Sequence, residues 1–302
     1  MLGTVILLEW ILFNPSILAQ LNLKSKFFSV YFVFFGVIIP FMNSIRAKNR
    51  TDLASELVRP RVIRLNEHVS RTDVTLDEAA AEALAKPPGR YVTVSGSAII
   101  RGEREYYPRL VRALSDALKE FVGSPETCLI VGLGNPSMTA DALGASVVKR
   151  VTVTRIPGES GGVCTLCPSV SGVTGVESFD VISGVAAVVK PSLIIAVDSL
   201  CAAASDRLAS AFQITDTGIA PGSGVGNHRF RLDRASLGCP VIGVGVPLVV
   251  YASTMIREAG AEPTESDLIV TPKDVDLIVG DCAAVIATAI DAALSSKGNY
   301  SP

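Results

Sequence analysis

Two aspartates occupy similar places in this 302-residue chain. Asp141 follows Val131-Gly132-Leu133-Gly134-Asn135-Pro136-Ser137-Met138-Thr139-Ala140, and Asp198 closes the apolar run Leu193-Ile194-Ile195-Ala196-Val197. Residues 128–131 and 193–198 both read as buried strands, so each acid is expected at the carboxyl end of a strand, where open α/β sheets hold their ligands. Two acids brought to one cleft can hydrolyse a peptide bond. The ionised one takes a proton from water, and the protonated one donates to the carbonyl oxygen or the leaving nitrogen. Two close carboxyls push their proton affinities apart and titrate as one unit. Thr139 reads as the N-cap of a helix over residues 142–149. That puts Asp141 in the first turn, where the helix dipole favours an anion, so Asp141 is the expected carboxylate and Asp198 the expected acid. Taken singly, each residue has a plainer reading as a cap or a strand-end acid; the pairing is what points to catalysis.

Around the acids, glycine loops allow sharp turns and close approach of backbone to a ligand. Gly134 and Asn135 in the first loop, and Gly222 and Ser223 in the second (residues 218–226), are expected to offer N–H groups to a developing oxyanion. Asp216 opens the second loop as Asp216-Thr217-Gly218. This triplet resembles that of pepsin-like and retroviral aspartic proteases, but those pair two triplets in all-β folds. Asp216 is therefore expected to support the cleft by ordering the loop.

Other familiar patterns fail on inspection. Gly132-x-Gly134 lacks the third glycine of a dinucleotide fingerprint, since position 137 is Ser. Gly158-Glu159-Ser160-Gly161-Gly162 fits G-x-S-x-G, yet the residues after Ser160 make a poor helix, which a nucleophile elbow needs. Cys164-x-x-Cys167 has no second pair or nearby histidine to complete a zinc site. No metal and no cofactor are expected.

The elements that must position the acids follow from periodicity. Strands are expected at residues 91–95, 151–154, 212–215, 241–246 and 268–271, besides the two above. Helices are expected at 105–122, 142–149, 179–189 and 274–294, with a weak helical signal at 76–85. Residues 155–176 read as a long irregular loop. Strands alternating with helices predict an α/β domain, three-layer αβα with a mostly parallel sheet. The net charge of −2 gives no electrostatic case for nucleic acid. Six cysteines, several in apolar runs, read as reduced thiols in a cytoplasmic protein. Residues 1–49 stand apart: they hold seven of the eleven Phe and the only Trp. Their apolar run at 27–42 is short of the roughly 20 residues a spanning helix wants. An anchor, a removable leader and an extension outside the working protein are all open readings, and membrane contact is expected only through this segment.

Several segments together resemble the germination protease family of spore-forming bacteria. They are Arg50-Thr51-Asp52-Leu53-Ala54, Val131 to Asn135 with Thr139-x-Asp141-Ala142-Leu143-Gly144, and Gly172-Val173-Thr174-Gly175-Val176-Glu177. Further on come Ala196-Val197-Asp198-Ser199-Leu200, Ile214 to Ile219, Pro221 to Asn227, Ile242-Gly243-Val244-Gly245-Val246-Pro247 and Leu268 to Lys273. They run in order across residues 50–295. The resemblance implies an atypical aspartic endopeptidase that degrades small acid-soluble spore proteins, with a fold like hydrogenase-maturation proteases and catalytic acids at Asp141 and Asp198. It also implies a homotetramer in the spore core, made as a zymogen whose leader is removed by self-cleavage. Substrates of the family are cut after an acid and before an apolar residue followed by Ala-Ser-Glu. Asp52-Leu53-Ala54-Ser55-Glu56 has that pattern, so the processing site is expected between Asp52 and Leu53. This divides the chain into a leader, 1–52, and a peptidase domain, 53–302. Two alternatives stand beside it: a metal-dependent maturation peptidase of the same fold, using His228, and a non-catalytic anion-binding module built on the glycine loops.

Overall fold

The structure, a computed structural model, describes residues 51–222, 230–262 and 268–295. Both readings of the apolar segment as anchor or leader, and the expectations for Ser223 and His228, lie outside those residues. The described residues belong to one compact unit, which begins at Arg50.

Nine strands form a single sheet among the described residues. They are β1 (Val62–Arg64), β2 (Ser70–Leu76), β3 (Gly89–Ser95), β4 (Thr127–Gly132), β5 (Gly162–Leu166), β6 (Leu193–Ala202), β7 (Ala211–Thr215), β8 (Val241–Tyr251) and β9 (Ile269–Val270). Their order is β1-β2-β3-β7-β8-β6-β4-β5, with β9 beside β8. The strands that carry the site, β8, β6, β4 and β5, are mutually parallel. On the other side of β8 an antiparallel wing of β7, β3, β2 and β1 extends the sheet.

Alternation along β4 and β6 explains the three layers. Cys128, Ile130, Leu193, Ile195 and Val197 face one side, against Leu110, Leu114 and Leu118 of α2 (Tyr107–Val122), and against α3 (Leu143–Val148) and α5 (Val275–Ser295). Leu129, Val131, Ile194 and Ala196 face the other side, against Ile182 and Ala186 of α4 (Ser178–Val189). A short helix, α1 (Glu78–Leu84), covers the wing; Asp77 caps it by accepting the Ala80 N–H. The three-layer α/β architecture is thus the expected one. Although α5 is long and apolar enough to cross a membrane, more than half of it is buried against α2 and α3, as a core helix is.

Four local expectations are corrected. Residues 151–154 are not a strand: Val151 closes the helix end through Val147, and the N–H groups of Thr154 and Arg155 both reach Val163 O. The edge strand beside β4 is β5, inside the stretch expected to be irregular, because the turn at Gly162 (φ 91°) brings that stretch back to β4. Strands β1 and β2 were hidden by their mixed, charged composition. Lastly, β6 does not end at Asp198, nor β8 at Val246. Each supports the other as far as Ala202 and Val250, with one register shift near Leu200.

Candidate active site

The site grows from an inequality of strand lengths. The last pair between β4 and β6 is Gly132↔Val197, and Leu133 then donates to Val197 O (2.8 Å). β6 continues for five more residues, so the edge it turned toward β4 is left without a strand. In a parallel strand, alternate residues direct their N–H and C=O to one neighbour, so those of Ser199 and Cys201 face this gap. The Ser199 N–H binds the carboxylate of Asp198 (2.9 Å). Asp198 is 4% exposed, in the interior of β6 rather than at its end.

Asp141 lies in the β4–α3 connection, in a turn that packs against β6 and β8. The expected helix cap does not form: Thr139–Asp141 is a separate 3-10 turn, and α3 starts at Leu143 with no side-chain cap. The Asp141 carboxylate accepts the N–H of Asn135 (2.7 Å). Gly134 makes that return possible. It sits at φ 92°, and a Cβ there would lie 2.0 Å from the Asp141 carbonyl oxygen. So Gly134 and Asn135 serve the acid itself, and the Asn135 N–H is already engaged. The turn packs against β6 and β8, with Ala140 against Cys201, Val249 and Tyr251. Gly144, at the start of α3, lets the connection lie tightly on β4 and β6: a Cβ there would be 2.4 Å from Leu133 N and 2.5 Å from Val197 O.

The open edge of β6 is occupied by the chain's own N-terminal segment. Asp52 N–H donates to Cys201 O (2.8 Å), and Cys201 N–H donates to the Asp52 carboxylate (2.9 Å). Leu53 is fully buried among Leu200, Ala202, Ala211 and Val250. By alternation, Leu200 and Ala202 share the face of Asp198. Ala54 is buried against Val74, Leu76 and Tyr91. The Glu56 carboxylate accepts the N–H groups of Ala203 (2.9 Å) and Ala204 (3.0 Å) and the Thr51 hydroxyl, and burial still pushes its pKa up. Half-buried Lys86 donates to Thr51 O (2.9 Å), and burial lowers its pKa against the opposing pull of Asp52 and Glu56. From β7, the Gln213 side chain accepts the Ala54 N–H (2.8 Å) and donates to Asp52 O (3.0 Å). Asp198 and Gln213 are both register partners of Gly245, so the three form one row across the sheet. Gly245 has no side chain, and Leu200 fills the space; a Cβ there would lie 2.6 Å from it.

The other residues singled out in the sequence have the following places. Asp216 is exposed, and its carboxylate accepts the Arg90 N–H (2.8 Å) at the start of β3. It orders that strand pair and is three residues along β7 from the row. Gly222, at φ 70°, turns the chain after Pro221. All six cysteines are free; Cys164 lies within β5, and Cys167 is exposed just beyond it. Among the described residues, no three His, Cys, Asp or Glu side chains group as a metal site. Gln213 and Lys86 went unnoticed in the sequence, and Glu56 was read only as part of a cleavage pattern. The signal for Gln213 was a lone amide inside the apolar strand Ala211-Phe212-Gln213-Ile214, and for Glu56 it was its place in the substrate-like pattern.

Comparison with known proteins gives consistent results. The family described as germination protease matches residues 61–261. The germination protease of Clostridium perfringens (strain 13) is 34% identical over 273 residues, covering 75% of this chain and 84% of that one. That of Bacillus mycoides (strain KBAB4) is 42% identical over 209 residues, covering 65% of this chain and 57% of that one. Among solved structures, the [NiFe] hydrogenase maturation protease HycI from Thermococcus kodakarensis KOD1 overlays with a TM-score of 0.40 at 20% identity, over 60% of this chain and 99% of that one.

Proposed function

This chain belongs to the germination protease family, and from that premise we propose that it is an aspartic endopeptidase of spore germination whose working pair is Asp141 and Asp198. Water is activated by whichever carboxyl is ionised, and the other supplies the proton that the leaving nitrogen needs. A zymogen is part of the reading: the chain cuts itself between Asp52 and Leu53 and is then released to act on small acid-soluble spore proteins. The same family premise carries the homotetramer and the spore core as the place of work.

One observation carries this reading. The Asp52–Leu53 bond lies along the free edge of β6, fastened by Cys201, and Asp198 is bound to the next N–H on that edge, that of Ser199. Successive residues on one edge of a strand are about 7 Å apart, which is the reach of a carboxylate and one water. A segment with the sequence of a substrate thus lies along the strand that carries Asp198.

The test uses the full-length chain and a peptide of the form acid-Leu-Ala-Ser-Glu. Asp141→Asn and Asp198→Asn should each abolish cleavage of the peptide with circular dichroism unchanged. Near-normal turnover in either variant would remove that residue from the mechanism.

A further inference from the structure

The Gln213 side chain has a task that the acid pair does not explain. We propose that Gln213 is the oxyanion donor of self-processing, its amide N–H binding the carbonyl oxygen of the bond that is cut. This rests on the reading of Asp52–Leu53 as the processing site. The orientation of the amide is forced by its partners. Ala54 N–H can only donate, so it faces Oε1; Asp52 O can only accept, so it faces Nε2. The two bonds straddle the Asp52–Leu53 peptide, one to the residue before it and one to the residue after Leu53. Cys201 fixes Asp52 from the other flank through its N–H and C=O.

The position in the sheet fits the same task. Asp198 and Gln213 stand in one row on either side of Gly245, which has no side chain and leaves the space that Leu200 fills. Gln213 is 6% exposed on a strand otherwise built of core residues. Burying an amide there is unfavourable unless both of its ends are bonded, and the segment bonds both. When water adds to the Asp52 carbonyl carbon, negative charge grows on the oxygen that Nε2 already holds at 3.0 Å. The intermediate then breaks its C–N bond, Leu53 nitrogen takes the proton, and one water has been consumed. The products are an Asp52 carboxylate and a new amino terminus at Leu53.

The experiment follows release of the Leu53 terminus by intact mass and N-terminal sequencing, on the full-length wild type, Gln213→Leu, Gln213→Glu and Asp141→Asn, between about pH 5 and 8, a range that spans the titration of a glutamate raised by burial. Gln213→Leu should process about a hundredfold more slowly, the usual loss on removing one oxyanion donor. Gln213→Glu has the shape of glutamine but, when ionised, sets an acceptor against Asp52 O. Its rate relative to wild type should be low at neutral pH and recover as the pH falls and the carboxyl regains a donor hydrogen. If Gln213 only holds the segment, the rate falls no further than amide protection at Leu53 and Ala54 does, so a rate loss in Gln213→Glu fully matched by lost protection, or a constant ratio across pH, overturns the proposal, even if Gln213→Leu fails to fold. Wild-type rates in the Gln213 variants, with Asp141→Asn inert, overturn this proposal alone. A wild-type chain that never yields Leu53, or an Asp141→Asn chain that does so normally, overturns the aspartic self-processing reading and this one with it.

Discussion

Cys201 closes on Asp52 with both of its main-chain groups, the N–H on the Asp52 carboxylate and the C=O on the Asp52 N–H. This pairing adds the start of the described chain to the edge of β6 that β4 is too short to cover. It sets the register of everything that follows, so that Leu53 enters the apolar pocket and Glu56 meets the N–H groups of Ala203 and Ala204.

Self-cleavage is expected at one bond. Full-length protein held at mildly acidic pH should yield a new terminus at Leu53, read by N-terminal sequencing. A terminus elsewhere would show that the pairing with Cys201 does not select the bond.

Leu53 should anchor the segment. Leu53→Ala removes a fully buried side chain from the pocket of Leu200, Ala202, Ala211 and Val250. The expected cost is about 2–4 kcal/mol of stability in urea unfolding. A change below about 0.5 kcal/mol would mean that the segment is not held in solution as it is here.

Docking of residues 51–56 should depend on pH through Glu56. Burial raises its pKa in the docked state, so the docked segment binds a proton more tightly than the free one. The segment is then held most firmly below the ordinary glutamate value and loosens as pH rises through the raised one. Amide exchange of Leu53 and Ala54, corrected for intrinsic rates, should show protection falling over that window. Glu56→Gln should flatten the profile.

Gly144→Ala should damage the site from behind. The new methyl would meet the backbone of Leu133 and Val197, which cannot swing aside as a side chain can. Pushing α3 away from β4 and β6 should cost about 1–3 kcal/mol and lower activity as well. Denaturant unfolding and peptide turnover measured on one preparation check both.

Ser160→Ala and Cys167→Ala should keep most activity. Ser160 lies in the exposed turn before β5, and Cys167 is exposed beyond its end. Inactivation of the wild type by a serine or thiol reagent acting through either residue would contradict an aspartic mechanism.

Much of the fold was legible because its central strands are uniform. Residues 128–131, 193–197 and 241–246 carry no polar side chain, as strands covered on both faces do, and α2 and α5 show their period plainly. The antiparallel wing was not. β1 is exposed throughout and β2 carries Arg71 and Asp73, whose charges are satisfied by Arg90 and Glu120 from other elements. No local pattern announces such a pairing.

The sequence by itself determined the pair of acids, the glycines beside them and the substrate-like stretch at Asp52, because residue type and spacing are local properties of a chain. Tertiary structure alone decided what these do to one another. The Asp141 carboxylate is bonded by the Asn135 N–H and caps no helix, since the turn at Gly134 brings that donor to it. Gln213 and Asp198 share a row with Gly245 because register, which is set between strands far apart in sequence, lines the three up. The gap that receives the N-terminal segment exists only because β6 is longer than β4, a difference in length between two partners that neither strand's sequence contains.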